Sequence, residues 1–140
     1  MNLGLAKSKL ETVRRNRDAM RTQNQIIPAP ILKFNTTLIR ELAALVLDRL
    51  TPDQRRAIEG ICYNMEATDT LLESAYGVAK KFGSPLGHAE RIQMAEHLLI
   101  EYGDAIVNLK RTIEMCEHYL GARYSTMLTK QYDRNDYEEK

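Results

Sequence analysis

The amino-acid sequence predicts an all-α protein built on one long antiparallel helical hairpin, with one or two shorter helices ahead of it and helical-bundle packing. Three observations carry this. The chain has 140 residues, no Trp and only two Phe, so its core must be mostly Leu, Ile, Ala and Met, which suits helix-on-helix packing. Two long segments, 52–82 and 86–120, repeat apolar residues at steps of three and four. Only a few residues around Gly83-Ser84-Pro85 separate them, and so short a link makes the two helices antiparallel neighbours.

In chain order, residues 3–22 read as a basic helix with a weak apolar stripe. Ile26-Ile27-Pro28-Ala29-Pro30-Ile31-Leu32 follows. Its two prolines bar a helix, and its apolar content suggests an extended segment lying along a groove. A helix over 35–50 comes next, capped by Asn35, Thr36 or Thr37, with Leu38, Leu42, Leu45, Val46 and Leu50 as its apolar face.

The first hairpin helix opens on Thr51-Pro52-Asp53-Gln54. This is an N-cap, a proline at the first helical position, an acid in the first turn and a glutamine closing a capping box. Its stripe is Ile58, Ile61, Met65, Thr68, Leu72, Ala75, Ala79 and Phe82, and it ends at Lys80, Lys81 and Gly83. The second helix carries Ile92, Ala95, Leu99, Tyr102, Ile106, Leu109, Ile113, Cys116 and Leu120 before Gly121. After it the residues are polar and expected to fray. Three regions result: a basic arm and proline-containing linker over 1–34, a helical-bundle domain over 35–121, and a polar, partly disordered tail over 122–140.

Charge is unevenly spread. Residues 1–33 hold seven Lys or Arg against Glu11 and Asp18, whereas 34–122 hold nine basic and thirteen acidic side chains. Mutual repulsion of Arg14, Arg15, Arg17 and Arg21 marks the arm as the weakest element. It is expected either to contact a polyanion or to dock on the protein's own acidic face.

Each hairpin helix is roughly 45–50 Å long at ~1.5 Å per residue, and one short helix covers half of that. A second copy therefore completes the bundle, or else the basic helix serves as its fourth member. Ile39, Val78, Val107 and Met115 lie off the main stripe and mark the expected interface of a homodimer or higher even oligomer.

The chemistry-bearing residues point away from catalysis. Tyr102 is expected opposite Thr68 and Asp69, as a buried polar layer that fixes register. Glu59, Glu66 and Glu73 recur every seven residues, as do Glu90, His97 and Asp104, with Glu101 one turn from His97. A di-metal bundle site needs Glu-x-x-His pairs facing inward. None occurs, so these acids read as solvated faces. Arg91-x5-His97 and Arg111-x6-His118 match the Arg-x4–6-His spacing of HEPN-type ribonucleases. With twelve Arg and three His, about one such match arises by chance. Cys62 and Cys116 form no redox or metal motif. Gly60, Gly77 and Gly103 inside the helices imply kinks or close backbone contacts.

The reading is thus a non-enzymatic helical interaction or regulatory module that binds itself and a further protein. No cofactor, metal, catalytic residue or membrane span is expected, and the setting is cytoplasmic. The main alternative is nucleic-acid or nucleotide binding through Arg14, Arg15, Arg17, Arg21, Arg55, Arg56, Lys110 and Arg111, with the two hairpin pairs lying opposite each other. A HEPN-like ribonuclease is the third reading.

Overall fold

The computed structural model describes residues 2–23, 32–81, 87–120 and 133–139. Among the described residues four helices run up-down-up-down. They are α1 (Asn2–Gln23), α2 (Thr36–Leu45), α3 (Pro52–Lys81) and α4 (His88–Leu120), with short 3-10 turns at Leu47–Arg49 and Arg134–Asp136. The expected extended segment 26–31, the connection 82–86 and residues 121–132 lie outside the described residues.

The helix starts follow the capping logic. The Thr51 N–H donates to Gln54 Oε1 at 2.9 Å, and the Gln54 N–H donates to Thr51 Oγ1 at 3.2 Å, closing the capping box before α3. The Leu38 N–H donates to Asn35 Oδ1 at 3.0 Å, which selects Asn35 among the three candidate caps of α2. That helix stops at Leu45, short of the expected residue 50, and tightens into the 3-10 turn over the last residues.

The hairpin pairs α3 with α4, α1 packs on α4, and α2 packs on α3. α1 runs antiparallel to α4. Lys7 meets Glu117 at 3.3 Å near one end, while Arg17 and Arg21 share a groove with Leu99, Ile100 and Gly103 farther along. Ala6, Leu10, Val13 and Met20 of α1 join Ile61, Met65, Ala75, Leu98, Ala105, Ile106 and Leu109 in one core. The basic arm is therefore part of the bundle in this chain. Its buried face includes Lys9 and Arg17, whose long stems pack against apolar atoms while their heads find carboxylates.

The buried face of α4 is rotated from the expected stripe. Ile106 and Leu109 are fully buried, as expected, but Leu99 is half-buried and Leu98 takes the core position. On α3, Leu72 is likewise half-buried. Ile92, on the same heptad stripe, is 48% exposed. A straight helix drifts by about 20° per heptad against a strict seven-residue repeat, so a stripe extrapolated across four heptads leaves the core at one end.

The register also differs. Asn64 donates from Nδ2 to the Asn108 carbonyl at 2.7 Å and to Thr112 Oγ1 at 2.6 Å, so this pair of buried polar residues fixes the hairpin's alignment. Asp69 faces α1 instead of Tyr102. It accepts from Lys9 Nζ at 3.1 Å and from the Phe34 N–H at 2.9 Å. Tyr102 is buried among apolar side chains, and that burial raises the pKa of its hydroxyl.

No close contact accounts for the helix glycines. A Cβ built on Gly60, Gly77 or Gly103 meets nothing within 4 Å. Gly60→Ala should therefore stabilise the protein by about 0.5–1 kcal/mol, read as a higher urea midpoint. A lower midpoint would mean that a contact at Gly60 arises only in an assembly.

Candidate interaction surface

The surface of α2 follows from how that helix is attached. The acid stripe of α3 stays at the surface, with Glu59 and Glu73 exposed and Glu66 half-buried, and α2 is attached along it. Glu66 accepts from Thr36 Oγ1 at 2.9 Å and pairs with Arg40, which also reaches Glu59 at 3.3 Å. Farther along, Glu73 pairs with Lys33. These contacts turn Thr36 and Arg40 toward α3. The apolar stripe of α2 consequently faces outward: Leu42 is 55% exposed and Leu45 79%, with Val46 and the following Leu47 also exposed. Tyr63, a turn from Glu59 and Glu66 on α3, is exposed as well. The sequence contained this stripe, but its hydrophobicity alone assigned it inward. The attachment through ion pairs is what reverses it.

The four residues expected at an oligomer contact differ in burial. Val107 is only 2% exposed, so its side chain is inside the monomer and has no surface to offer a second copy. Ile39, Val78 and Met115 are half-buried against the chain's own core.

The basic residues divide into separate groups. Arg14 of α1 donates from Nε to both carboxylate oxygens of Glu139, at 3.0 and 2.9 Å, and Arg17 Nη1 donates to the same group at 2.8 Å. Lys110 of α4 stands 3.5 Å from it. The Arg14 hydrogen bonds, with Arg17 and the nearby Lys110 charge, outweigh the burial that opposes ionisation, and they hold the Glu139 carboxyl down at about 2. The Arg111 guanidinium lies over the Tyr137 ring, 5.6 Å from its centre, while the Tyr137 hydroxyl donates to Glu114. Arg15 and Arg21 are exposed.

Arg55 and Arg56 do not join Lys110 and Arg111. Arg55 donates to the Leu47 carbonyl at 2.7 Å, and Arg56 pairs with Asp53 at 3.4 Å. Asn64 marks the level of residues 108–112, which leaves Arg55 about 13 Å away along the helix axis at ~1.5 Å per residue.

The remaining candidates among the described residues stand on α3 and α4. His97 Nε2 lies 3.2 Å from Glu101 Oε1, and Ser74 donates to that same oxygen, so the serine is bonded to the carboxylate and not to the imidazole. Arg91 lines a shallow cavity with His88, Ile92 and Glu96. His97 is six positions further on, which sets the two about 120° apart around α4. The His118 side chain lies outside the described residues. Cys62 and Cys116 are free and buried. Burial pushes both thiols up, Cys116 to about 11, so they stay protonated and unreactive at neutral pH. No group of three metal-ligating side chains stands together among the described residues. Glu59, Glu66 and Glu73 are engaged with α2 and Lys33, and Asp104 pairs with Arg134. No helix among the described residues is long and apolar enough to cross a membrane.

No protein-family model matches the chain, and neither a curated protein nor a solved structure matches it.

Proposed function

We propose that the chain is a non-enzymatic helical interaction module that self-associates through the outward apolar face of α2. The observation that carries this reading is the exposure of Leu42, Leu45, Val46 and Leu47 in one contiguous stretch of sequence. Contiguous apolar surface on a folded chain usually marks a contact with another macromolecule. A two-fold interface must be self-complementary. Here Glu41 and Arg49 flank the patch at its two ends, so a two-fold axis near Leu45 sets each copy's Glu41 beside the other's Arg49. The polyanion alternative has less support, because Arg14, Arg17 and Lys110 already converge on a carboxylate.

Sedimentation equilibrium tests the reading. The wild-type chain should run at twice its 16.1 kDa mass or more at micromolar concentration. Leu42→Glu with Leu45→Glu should return it to a monomer with its helicity unchanged. A wild-type monomer across the concentration range, or an oligomer indifferent to both substitutions, would overturn it.

A further inference from the structure

We propose that the groove between α1 and α4 is a receptor for an acidic peptide segment of a partner protein, one that carries a tyrosine two residues ahead of a glutamate. Residues 133–139 of the chain itself are then its resident ligand. This surface is separate from the α2 face, and the proposal does not depend on self-association.

The receptor is built by two helices 90 residues or more apart in sequence. α1 supplies Arg14 and Arg17, and α4 supplies Lys110, Arg111 and Glu114. Arg14, Arg17 and Lys110 all meet the Glu139 carboxylate, and Arg17 bonds Asp18 as well. Arg14 addresses the two carboxylate oxygens through Nε and Nη2, the forked geometry that distinguishes a guanidinium from a point charge. Two residues before that carboxylate, the Tyr137 ring lies under Arg111 and its hydroxyl reaches Glu114. The seat thus reads an aromatic hydroxyl and an acid at a fixed spacing, which is peptide chemistry. A nucleic-acid backbone placed here would bring phosphates against the Glu114 and Asp104 carboxylates.

The ligand is held by its side chains. Its only local order is the 3-10 turn over Arg134–Asp136, started by Asp133 accepting from the Asn135 N–H at 2.9 Å. It adds no helix or strand to the bundle, so an equivalent segment supplied from outside can make the same contacts. The groove also opens beside it. A space of about 230 Å³ lies between Arg17 and Arg21 on one wall and Leu99, Ile100 and Gly103 on the other, with Arg134, Glu138 and Glu139 of the segment along it, where a longer acidic segment would gain a further cation and an apolar floor. The depressed carboxyl of Glu139 agrees with a strongly anion-selective seat. The resident segment competes at the high effective concentration of a tethered ligand, so the wild-type chain should bind an outside segment weakly until its own is weakened.

The test is fluorescence anisotropy with a labelled synthetic peptide of the sequence Asp-Arg-Asn-Asp-Tyr-Glu-Glu-Lys, titrated with full-length chains. A chain carrying Tyr137→Ala and Glu139→Gln should bind it at least tenfold more tightly than the wild type. Adding Arg14→Ala should cancel the gain, as should replacing the second glutamate of the peptide by glutamine. Equal binding by the wild-type and doubly substituted chains would overturn the proposal. So would displacement of the peptide by a single-stranded oligonucleotide at equal affinity, since the surface would then be a general polyanion site. Should the doubly substituted chain fail to fold, the Tyr137 ring resonances of the wild-type chain, followed by NMR, decide the matter. Excess unlabelled peptide should shift them, and no shift at millimolar peptide would overturn the proposal.

Discussion

Replacing Asp69 by Ala should cost about 3–5 kcal/mol of stability, the range for breaking a buried ion pair by removing one partner. Asp69 and Lys9 are both buried, and their charged groups are 3.1 Å apart. The second carboxylate oxygen accepts the Phe34 N–H, and Lys9 Nζ sits 4.9 Å from the centre of the Phe34 ring. One side chain of α3 therefore holds α1 and the residues leading into α2. Its removal leaves an ammonium and a backbone donor buried without their acceptor, and each is costly. Asp69→Asn should cost less, because an amide oxygen can still accept from Phe34. A Lys9→Met, Asp69→Leu double substitution should recover much of the loss. Urea denaturation of the four chains checks this, and a loss under about 1 kcal/mol for Asp69→Ala would show that water reaches the pair.

Leu109→Ala should cost about 2–5 kcal/mol, the usual range for removing a buried leucine side chain. Leu109 is fully buried in the core that α1, α3 and α4 build together, so rigid helices on several sides resist collapse into the void. Leu98, fully buried a few turns away, should behave in the same way. Leu99→Ala removes a half-buried side chain at the edge of a groove and should cost clearly less than either. Thermal or urea unfolding of the three variants ranks them. A larger loss at Leu99 than at Leu109 would mean that α4 is rotated toward its heptad stripe.

The parts of the fold that local chemistry specifies were legible in the sequence. Thr51 and Gln54 mark the start of α3, Asn35 that of α2, and the short link between the hairpin helices sets their direction. Features that depend on two distant segments were not legible. The face of α1 was obscured because Lys9 and Arg17 occupy buried positions, and a charged residue reads as solvent-facing until its partner is known. α2 was turned the wrong way for the complementary reason: its leucines suggested an inward face, while Arg40 and Thr36 hold it to Glu59 and Glu66. The basic residues of the candidate site were visible one by one. Their grouping was not, because a heptad gives the facing surfaces of two helices without their axial offset, and Asn64 with Thr112 sets that offset. Glu139 carried no signal, since one acid beside Asp133, Asp136 and Glu138 resembles any solvated charge.

The bond between Arg14 and Glu139 joins residues 125 positions apart, and this bears on the order in which the chain assembles. Closing a loop of that length in an unfolded chain costs only about 2 kcal/mol more than closing one a tenth as long. Yet the seat for Glu139 exists only after α1 lies on α4, because Arg14 and Lys110 come from different helices. The hairpin, whose pairing is more local, is then the natural first structure, α1 the second, and residues 133–139 the last. In the native protein the sequence runs in reverse. On that order the segment is the first to detach, whereas α1 cannot leave without losing the Arg14 and Arg17 bonds to it. Amide exchange would therefore find a hierarchy of openings in which the lowest-energy one bares the cationic seat and leaves the core closed.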